Sequence, residues 1–285
     1  MTDVLIGPLP PPDLHVMTFN IRRRLMMTPR RVDRWEQRMP AVRALLAAER
    51  PTVLGVQEAM ADQAEAVHEA LGDDYGRVGH GRRADGRGEG CPLYYDSARV
   101  ELLGWEQVAL SDTPDVPGST TWGNVAPRVM VIARFRDRAS AAELLVVNTH
   151  FDHLSRRSRL RSAEAVRKAV ADHGLPSVVT GDLNAGQRSG AVRALLADGA
   201  LTDAWRDATT RVSPPWGSFT NYRDPRVGRR RIDWIAVTPD VDVLRAGLNA
   251  RRPDGVWPSD HLPLQAVLRL RDRETSPDGT GTGAS

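Results

Sequence analysis

The segment Ser177-Val178-Val179-Thr180-Gly181-Asp182-Leu183-Asn184 decides the fold prediction, because an apolar run ends abruptly in a carboxylate and an amide. A side-chain period of two places Asp182 and Asn184 on the same side at the end of a predicted strand. A carboxylate beside an amide adds little to a core but can hold a water, a metal ion or a phosphate oxygen. The segment therefore predicts a buried strand that ends at a polar site.

Five further apolar runs carry the same kind of polar residue at one end. They lie at Thr18-Phe19-Asn20, Val56-Gln57-Glu58, Asn148-Thr149-His150, Arg231-Ile232-Asp233 and Ser259-Asp260-His261. An isolated polar residue at a strand end is more often a turn or helix cap than a ligand. Six such ends that all select acids, amides or histidines are not expected from capping alone. The pattern is typical of a site assembled from several strands.

The composition is that of a folded domain in a reducing compartment. The chain has 285 residues, of which 41% are hydrophobic, and a chain of this size can bury a large core. Cys91 is the single cysteine, which excludes an intramolecular disulfide and a cysteine-based zinc site. The N-terminal residues lack a signal-peptide pattern, and no segment approaches the roughly 20 apolar residues of a membrane span. We expect a cytoplasmic protein without a membrane span, and no protein partner is implied.

The most economical organisation is one catalytic domain over residues 13–272. It is flanked by segments rich in Pro, Gly, Ser and Thr, 1–12 and 273–285, which we expect to be disordered tails. Apolar residues at three- and four-residue steps predict helices at 31–50, 61–71, 157–173 and 188–196. Alternating apolar residues predict antiparallel hairpins within 92–110 and 128–147. This mixture favours a layered α/β (α+β) sandwich over a doubly wound parallel sheet.

The oxygen-rich strand ends suit a hard divalent cation such as Mg²⁺ or Mn²⁺. Their carboxylates and amides belong to Glu58, Asp182, Asp233, Asp260, Asn20 and Asn184. His150 and His261 add groups that can carry charge near neutral pH. Together these residue types suit the hydrolysis of a phosphate ester, in which a metal neutralises developing charge while water attacks in line.

In this order, the six blocks resemble the signature motifs of the endonuclease/exonuclease/phosphatase superfamily, which is deoxyribonuclease I-like. The resemblance runs from about residue 16 to residue 262, and the stretch 110–119 is similar to bacterial members of uncertain substrate. It implies a four-layer sandwich of two mixed, mostly antiparallel β-sheets flanked by helices, with the site at one edge of the sheets. It also implies a metal-dependent phosphoric ester hydrolase.

The resemblance gives each motif residue an expected role. Glu58 would be the main metal ligand, and Asn20 and Asp260 would help to hold the metal or its water shell. Asp182 would orient and deprotonate the attacking water, and Asn184 would bind a phosphoryl oxygen.

The histidines of the motifs would act on the phosphate itself. His261 would stabilise the pentacovalent phosphorane, and Asp233 would orient His261 and keep it basic. His150 would assist from the other side of the phosphate, where abasic-site endonucleases carry a tyrosine. The Thr-His motif at this place is similar to deadenylase-like and phosphatase-like members, and it makes an abasic-site repair enzyme a weaker interpretation.

Three further residues are predicted to bind the substrate. Asp152 and His153 continue the strand end after His150, where His153 could meet a phosphate or its leaving group, or else make a hydrogen bond within the loop. Arg128 begins a strand and could clamp a phosphate with two hydrogen bonds. Its alternative is a surface salt bridge.

The charge near the motifs bears on the substrate. Arginine clusters lie beside them at 22–24, 156–157, 229–231 and 251–252. If these loops rim the site, its mouth is positive and favours a multiply charged phosphoester. The predicted rim loops contain few aromatic residues, namely Trp122, Trp216, Phe219, Tyr222 and Trp257. A small or medium substrate is therefore favoured over long duplex DNA; the alternatives are a nuclease acting on DNA or RNA and a catalytically silent binding protein.

Overall fold

A computed structural model describes residues 4–271; residues 1–3 and 272–285, which include the predicted C-terminal tail, lie outside the described residues. Within residues 4–271, thirteen strands form two sheets. The strands of the seven-stranded sheet are β1 (Leu14–Asn20), β2 (Val53–Gln57), β3 (Tyr75–Val78), β4 (Leu93–Asp96), β10 (Thr210–Arg211), β12 (Val241–Leu248) and β13 (Leu264–Leu270). The strands of the six-stranded sheet are β5 (Val100–Ala109), β6 (Val129–Asp137), β7 (Glu143–His150), β8 (Ser177–Asp182), β9 (Thr202–Asp203) and β11 (Asp233–Val237).

Both sheets are mixed. The strand orders are β10-β12-β13-β1-β2-β4-β3 and β5-β6-β7-β8-β11-β9. The parallel pairs between described strands are β1 with β2, β7 with β8 and β10 with β12, and the other pairs are antiparallel. The prediction of two mixed, mostly antiparallel sheets is confirmed.

Four helices cover the outer faces of the two sheets: α1 (Trp35–Glu49), α2 (Ala61–Leu71), α3 (Arg156–His173) and α4 (Gly190–Leu195). The short α5 (Ala204–Asp207) instead contributes Ala204 and Trp205 to the apolar cluster between the sheets. One apolar cluster joins the two sheets and includes Val16 and Val146. A second packs the seven-stranded sheet on α1 and α2, and a third packs the six-stranded sheet on α3 and α4. Three apolar interfaces between four layers confirm the predicted sandwich, and each fully buried aliphatic side chain contributes about 1.5–3 kcal/mol.

The predicted helices differ from the observed ones mainly at their first turns. Arg34 is extended, with φ −70° and ψ 131°, and it separates a short 3₁₀ turn from α1. At the other end of α1, Arg50 is left-handed, with φ 39°, directly before Pro51. α3 begins at Arg156, because the side chain of Ser155 accepts a hydrogen bond from a first-turn backbone N–H.

One of the two predicted hairpins is wrong. β6 and β7 pair as an antiparallel hairpin, as expected from residues 128–147. The region 92–110 instead divides between the sheets, because β4 pairs with β2 and β3, whereas β5 pairs with β6. Alternation of apolar residues indicates a strand but not the sheet to which it belongs.

The first described residues contact the domain, although residues 1–12 are predicted as a tail. The backbone N–H groups of Leu5, Ile6 and Gly7 donate to the carboxylate of Glu49, over distances of 2.7–3.1 Å. Asn249 donates to the same carboxylate from β12's end at 2.9 Å. Residues 5–7, which lie within the segment predicted as a tail, are therefore hydrogen-bonded to the end of α1.

The topology brings the motif ends to one edge of the sandwich. Asn20 pairs with Gln57 at the ends of β1 and β2, and His150 pairs with Asp182 at the ends of β7 and β8. Asp233 is the first residue of β11 and lies opposite Asp182 in the antiparallel direction. The polar end of each strand therefore faces the same region. Among the helices of residues 4–271, none is long and apolar enough to cross a membrane.

Candidate active site

A cleft of about 610 Å³ opens at this edge of the sandwich. Nine of the eleven predicted site residues line it: Glu58, Arg128, His150, Asp152, His153, Asp182, Asn184, Asp260 and His261. The remaining two, Asn20 and Asp233, are completely buried and contact residues of the lining. The structure thus brings the predicted set together from distant parts of the chain.

Asn20 bridges two carboxylates at the floor of the cleft. Its Nδ2 donates to Oε1 of Glu58 over 3.1 Å and to Oδ2 of Asp182 over 3.0 Å. Its Oδ1 accepts from the backbone N–H of Arg22 over 2.9 Å. All the polar atoms of this amide are therefore engaged by protein groups, and Asn20 fixes the spacing of Glu58 and Asp182.

Glu58 follows β2 in a left-handed conformation with φ 62°, which is uncommon for a residue with a side chain. The Arg23 backbone N–H donates to its Oε2 over 3.0 Å, and Arg22 places a guanidinium nitrogen 3.9 Å away. Burial opposes ionisation, but the hydrogen bonds from Arg23 and Asn20 and the charges of His261 and Arg22 hold the pKa of Glu58 below its usual value. Glu58 is therefore an ionised carboxylate at the cleft.

Asp260 lies beside Glu58, and the guanidinium of Arg22 is close to both carboxylates. Nε of Arg22 is 3.8 Å from Oδ2 of Asp260 and 3.2 Å from Oδ1 of Asp33. Burial and the negative charge of Glu58 raise the pKa of Asp260, against the charges of His261 and Arg22. Arg22 was predicted only as part of a basic rim. In the structure its guanidinium lies within 4.0 Å of three carboxylates of this corner.

Asp182 occupies the centre of the arrangement. The backbone N–H of Asn184 donates to its Oδ1 over 2.8 Å. Its Oδ2 lies 3.7 Å from Nε2 of His150 and 3.8 Å from Nε2 of His261. Burial and the charge of Asp233 raise the pKa of Asp182 to about 7, although His261 opposes the rise. This carboxyl is therefore poised to exchange a proton near neutral pH.

His261 and Asp233 form a buried pair in which Nδ1 and Oδ2 are 2.9 Å apart. Burial alone would lower the pKa of His261, but the charge of Asp233 and the hydrogen bond to it raise that pKa well above its ordinary value. The hydroxyl of Ser218 accepts the backbone N–H of Asp233 and so positions the acid. His261 is therefore an imidazolium that presents Nε2 toward Asp182.

His150 is the neutral counterpart of His261. Burial and the charges of Arg128, Arg82 and His261 lower its pKa well below the ordinary value. Nδ2 of Asn184 lies 3.0 Å from Nε2 of His150 and also donates to the carbonyl of Phe151 over 3.0 Å. Both N–H groups of Asn184 are thus used, so a phosphoryl oxygen bound by Asn184 would replace the hydrogen bond to His150.

Arg128, Asp152 and His153 form the opposite wall of the cleft. Nε of Arg128 donates to Oδ2 of Asp152 over 3.3 Å, and Nη2 lies 3.1 Å from Nδ1 of His153. Oδ1 of Asp152 accepts the backbone N–H groups of Leu154 and Ser155. Arg128 is 3% exposed, so the predicted alternative of a surface salt bridge is wrong because the pair is buried. Nη1 of Arg128 is buried without a hydrogen-bond partner among residues 4–271.

The sequence matches the model of the endonuclease/exonuclease/phosphatase family over residues 17–261. The chain belongs to this family. Family members are hydrolases that act on phosphoester bonds, as phosphatases or as nucleases. The superfamily resemblance inferred from the six motifs is therefore confirmed.

Similar proteins include bacterial structures of the same family. A family protein from Bacteroides thetaiotaomicron is 29% identical with a TM-score of 0.85, over 93% of this chain and 100% of that chain. A mannosyl-6-phosphatase of the same organism is 29% identical with a TM-score of 0.83, over 90% of this chain and 100% of that one. Protein angel of Drosophila melanogaster is 26% identical over 82% of this chain. The match spans 65% of the length of protein angel.

Two sets of side chains in this family member could hold a divalent cation. Asp182, Asp233 and His261 offer ligand atoms that lie within 4.8 Å of one another. In that set, however, Nδ1 of His261 already contacts Oδ2 of Asp233. The carboxylates of Glu58 and Asp260 both reach the cleft and offer the oxygen donors that Mg²⁺ or Mn²⁺ prefers. The donor chemistry of this second set therefore fits such an ion.

Two motif residues have a structural role that the sequence did not reveal. Nε2 of Gln57 donates to Oδ1 of Asn148 over 2.7 Å, and Nδ2 of Asn148 donates to the carbonyl of Val56 over 2.8 Å. These bonds join the two sheets below the cleft. The sheets are close there because Gly55 has no side chain: a Cβ at this position would be 2.6 Å from Oδ1 of Asn148. Both polar residues belong to the motifs, but spacing alone does not tell which motif residues face the cleft.

The predicted rim is only partly observed. Arg22 and Arg23 line the cleft, but Arg231 is buried and pairs with Asp203 at 2.6 Å. Trp122 and Trp257 are each 5% exposed and belong to the core, so their placement in an exposed rim is wrong. Phe219 is 48% exposed and lines the cleft, with its ring centroid 5.0 Å from that of His261.

Proposed function

We propose that this chain is a divalent-metal-dependent phosphoesterase that hydrolyses a phosphomonoester or a phosphodiester by in-line attack of an activated water. The proposal is carried by the central position of Asp182 between a neutral histidine and a protonated one. Such an arrangement provides a base for the water and a cation for the developing charge within one cleft.

Each catalytic group has a physical basis for its role. Asp182, whose pKa burial raises to about 7, accepts the proton of the attacking water. His261, held as a cation by Asp233, stabilises the negative charge of the phosphorane through Nε2. Asn184 and His150 bind phosphoryl oxygens on the other side.

Glu58 is the main metal ligand, and Asp260 and Asn20 complete the surroundings of the ion. The ionised state of Glu58 and its contact with the cleft support this role. Asn20 acts by spacing the carboxylates, because its own amide atoms are engaged. Bound Mg²⁺ or Mn²⁺ would supply charge neutralisation for the reacting phosphate.

The favoured substrate is a small or medium phosphoester that carries several charges. Arg128 offers its buried Nη1 to an anionic oxygen, with Asp152 holding the guanidinium and His153 beside it. A similar protein described as a mannosyl-6-phosphatase supports a small-molecule substrate. A nuclease activity is the second candidate, favoured by the additional arginines Arg22, Arg23 and Arg82 in the lining.

The proposed function is tested by a hydrolysis panel with Mg²⁺ or Mn²⁺. The panel contains supercoiled DNA, RNA oligomers, nucleotides, sugar phosphates, inositol phosphates and phosphodiester lipids, with Asp182→Ala and EDTA as negative controls. Metal-dependent turnover of one class, lost in Asp182→Ala, is the expected result. If the wild-type protein turns over none of these esters with either metal, the catalytically silent binding protein is the correct interpretation.

A further inference from the structure

A groove lined by arginine continues from the catalytic cleft, and we call it the arginine groove. Two adjoining cavities of about 380 and 710 Å³ form it. The first cavity shares Phe219, Asn221 and Ile232 with the catalytic cleft. The two cavities share Arg229 and Arg230 with each other. The cleft and the arginine groove therefore form one continuous depression.

The lining of the arginine groove carries an excess of positive charge. Five exposed arginines line it: Arg188, Arg223, Arg226, Arg229 and Arg230. Within residues 4–271, no Asp or Glu forms an ion pair with any of them, whereas the cleft arginines Arg22, Arg23 and Arg128 are all paired. The acid in the lining, Asp224, lies 3.6 Å from Arg252. A surface with several unpaired cations attracts a ligand with several negative charges.

The segment that carries most of these arginines has a defined conformation. The N–H of Gly217 donates to the carbonyl of Arg226 over 3.2 Å, and Trp216 forms a β-bridge with Val227. Arg230 packs over the loop that follows the catalytic Asn184, since a Cβ at Gly186 would lie 3.1 Å from its Cδ. The arginines are thus presented by a folded hairpin, which reduces the entropy that a ligand must remove on binding.

Aromatic side chains accompany the charge. Phe219 is 48% exposed at the junction between the cleft and the first cavity. Trp216 is half-buried in the lining of the second cavity. Arginines that follow a phosphate backbone, interleaved with rings on which bases stack, are the features of single-strand nucleic-acid sites. A lone phosphate group would need neither the rings nor five cations, because Arg128 already provides for one phosphate.

We propose that the arginine groove binds the nucleotides that flank the scissile phosphate of a short single-stranded oligonucleotide. Phe219 stacks on the base next to the cleft, and Arg229 and Arg230 bind the following phosphates. This inference rests on the proposed function and, of its two substrate candidates, selects the second, a nuclease acting on a single strand.

Binding is measured by fluorescence anisotropy with a short, fluorescein-labelled thymidine oligonucleotide in EDTA, so that hydrolysis does not interfere. Each phosphate contact on a single strand contributes about 0.7 to the slope of log Kd against log salt, so Arg229→Gln/Arg230→Gln should reduce the slope by about 1.4 and weaken binding roughly ten- to thirty-fold near 0.1 M salt. Phe219→Ala should weaken it at least fivefold at unchanged slope, because stacking is not electrostatic.

A matched control removes the same charge elsewhere. Arg161 and Lys168 lie on the exposed face of α3 and line none of the three cavities. Arg161→Gln/Lys168→Gln should leave the Kd and the slope within twofold of the wild-type values. Thermal unfolding of each variant checks that the fold is retained.

Several results would overturn the inference. One is no binding of the oligonucleotide by the wild-type protein, and another is equal weakening in the control variant. Tighter binding of inorganic tripolyphosphate, unaffected by Phe219→Ala, would instead assign the groove to a polyphosphate. Hydrolysis of bis(p-nitrophenyl) phosphate by the wild-type protein with Mg²⁺ or Mn²⁺ is measured separately. If that ester is hydrolysed but the oligonucleotide is not bound, the inference fails and the proposed function stands.

Discussion

Nδ1 of His261 and Oδ2 of Asp233 lie 2.9 Å apart, and both side chains are buried at the floor of the cleft. Burial would favour a neutral imidazole, whereas the adjacent carboxylate holds the pKa of His261 well above its ordinary value. The charge that Nε2 presents to a substrate therefore depends on Asp233. Asp233 does not line the cleft, so it contributes to catalysis through this hydrogen bond and through the effect of its charge on the pKa of Asp182.

Replacement of Asp233 by Asn should lower kcat about 10²- to 10⁴-fold, the range expected for loss of a positioned acid–base group. Without the carboxylate the pKa of His261 falls. The protonated form is then lost at lower pH, and the alkaline limb of the pH–rate profile moves toward acid pH. Asp242→Asn is the control, since Asp242 pairs with Arg271 far from the cleft. An unchanged alkaline limb in Asp233→Asn would contradict this role.

Replacement of Asp182 by Asn should abolish turnover and stabilise the metal-free protein. Its pKa is about 7 in the folded protein and near the usual 3.8 when unfolded, so the folded state binds the extra proton and loses stability as pH rises between these values. Asn at this position does not ionise, so the free-energy cost of a buried negative charge at high pH is removed. In EDTA at pH 8 the free energy of unfolding should rise by about 1–3 kcal/mol, with a smaller gain at pH 5. Urea unfolding at both pH values checks this, and equal destabilisation at both would refute it.

Replacement of Glu58 by Gln should weaken the binding of Mn²⁺ at least about tenfold, because a metal ligand loses its negative charge. Isothermal titration calorimetry measures the affinity directly and independently of turnover. Glu69→Gln is the control, because Glu69 is an exposed acid that pairs with Arg43 on the outer helices. If Glu58→Gln retains the wild-type affinity while Asp233→Asn loses it, the ion is instead held by the set of Asp182, Asp233 and His261.

The sequence predicts the layered sandwich and most residues of the candidate site, because both depend on patterns that can be read from the linear sequence. Strand ends such as Gly181-Asp182-Leu183-Asn184 combine an apolar run with a polar pair. The period-two expectation does not explain the position of Asn184, because β8 ends at Asp182 and Asn184 is left-handed with φ 48°, yet both residues line the cleft. Six ends of this kind identify the edge of the sheets at which the cleft forms. Nine of the predicted residues line that cleft, and the other two lie directly beneath it.

What the sequence does not predict depends on contacts between distant segments. Asn148 resembles a site residue in its motif, but its amide joins the two sheets, since the close approach at Gly55 leaves a buried polar layer there. Arg231 belongs to an arginine cluster, but Asp203 and the ring of Trp234 hold it inside the protein. Asp203, the partner that neutralises Arg231, is 28 residues away in the sequence, so local composition cannot separate a buried arginine from an exposed one.

Replacement of Arg128 by Met should raise KM and the inhibition constant of inorganic phosphate about 10- to 100-fold, because a charge-assisted hydrogen bond to the substrate is lost. kcat should change less, because Arg128 would bind the phosphate of the substrate in the ground state as well as in the transition state. Competitive inhibition by phosphate provides the readout, and Arg134→Met, at an exposed position on β6, is the control. A fall in kcat with KM unchanged would show that Arg128 acts only in the transition state.

The carboxylate of Glu49 joins the first described residues to the domain, and its removal should destabilise the protein. Glu49→Gln leaves backbone N–H groups of Leu5, Ile6 and Gly7 without their charged acceptor, at an expected cost of about 2–4 kcal/mol. Deletion of residues 1–7 removes the same contacts from the other side. Because both changes break one network, the double variant should be less destabilised than the sum of the single variants by at least about 1 kcal/mol.

Urea unfolding of the wild type, the two single variants and the double variant measures this coupling. Glu36→Gln is the matched control, since Glu36 is an exposed acid in the first turn of the same helix. Additive effects would mean that the N-terminal segment contributes independently of Glu49. A coupling energy of the expected size requires that Leu5, Ile6 and Gly7 contact Glu49 in the folded protein. It would therefore place the N-terminal boundary of the folded domain before Leu5.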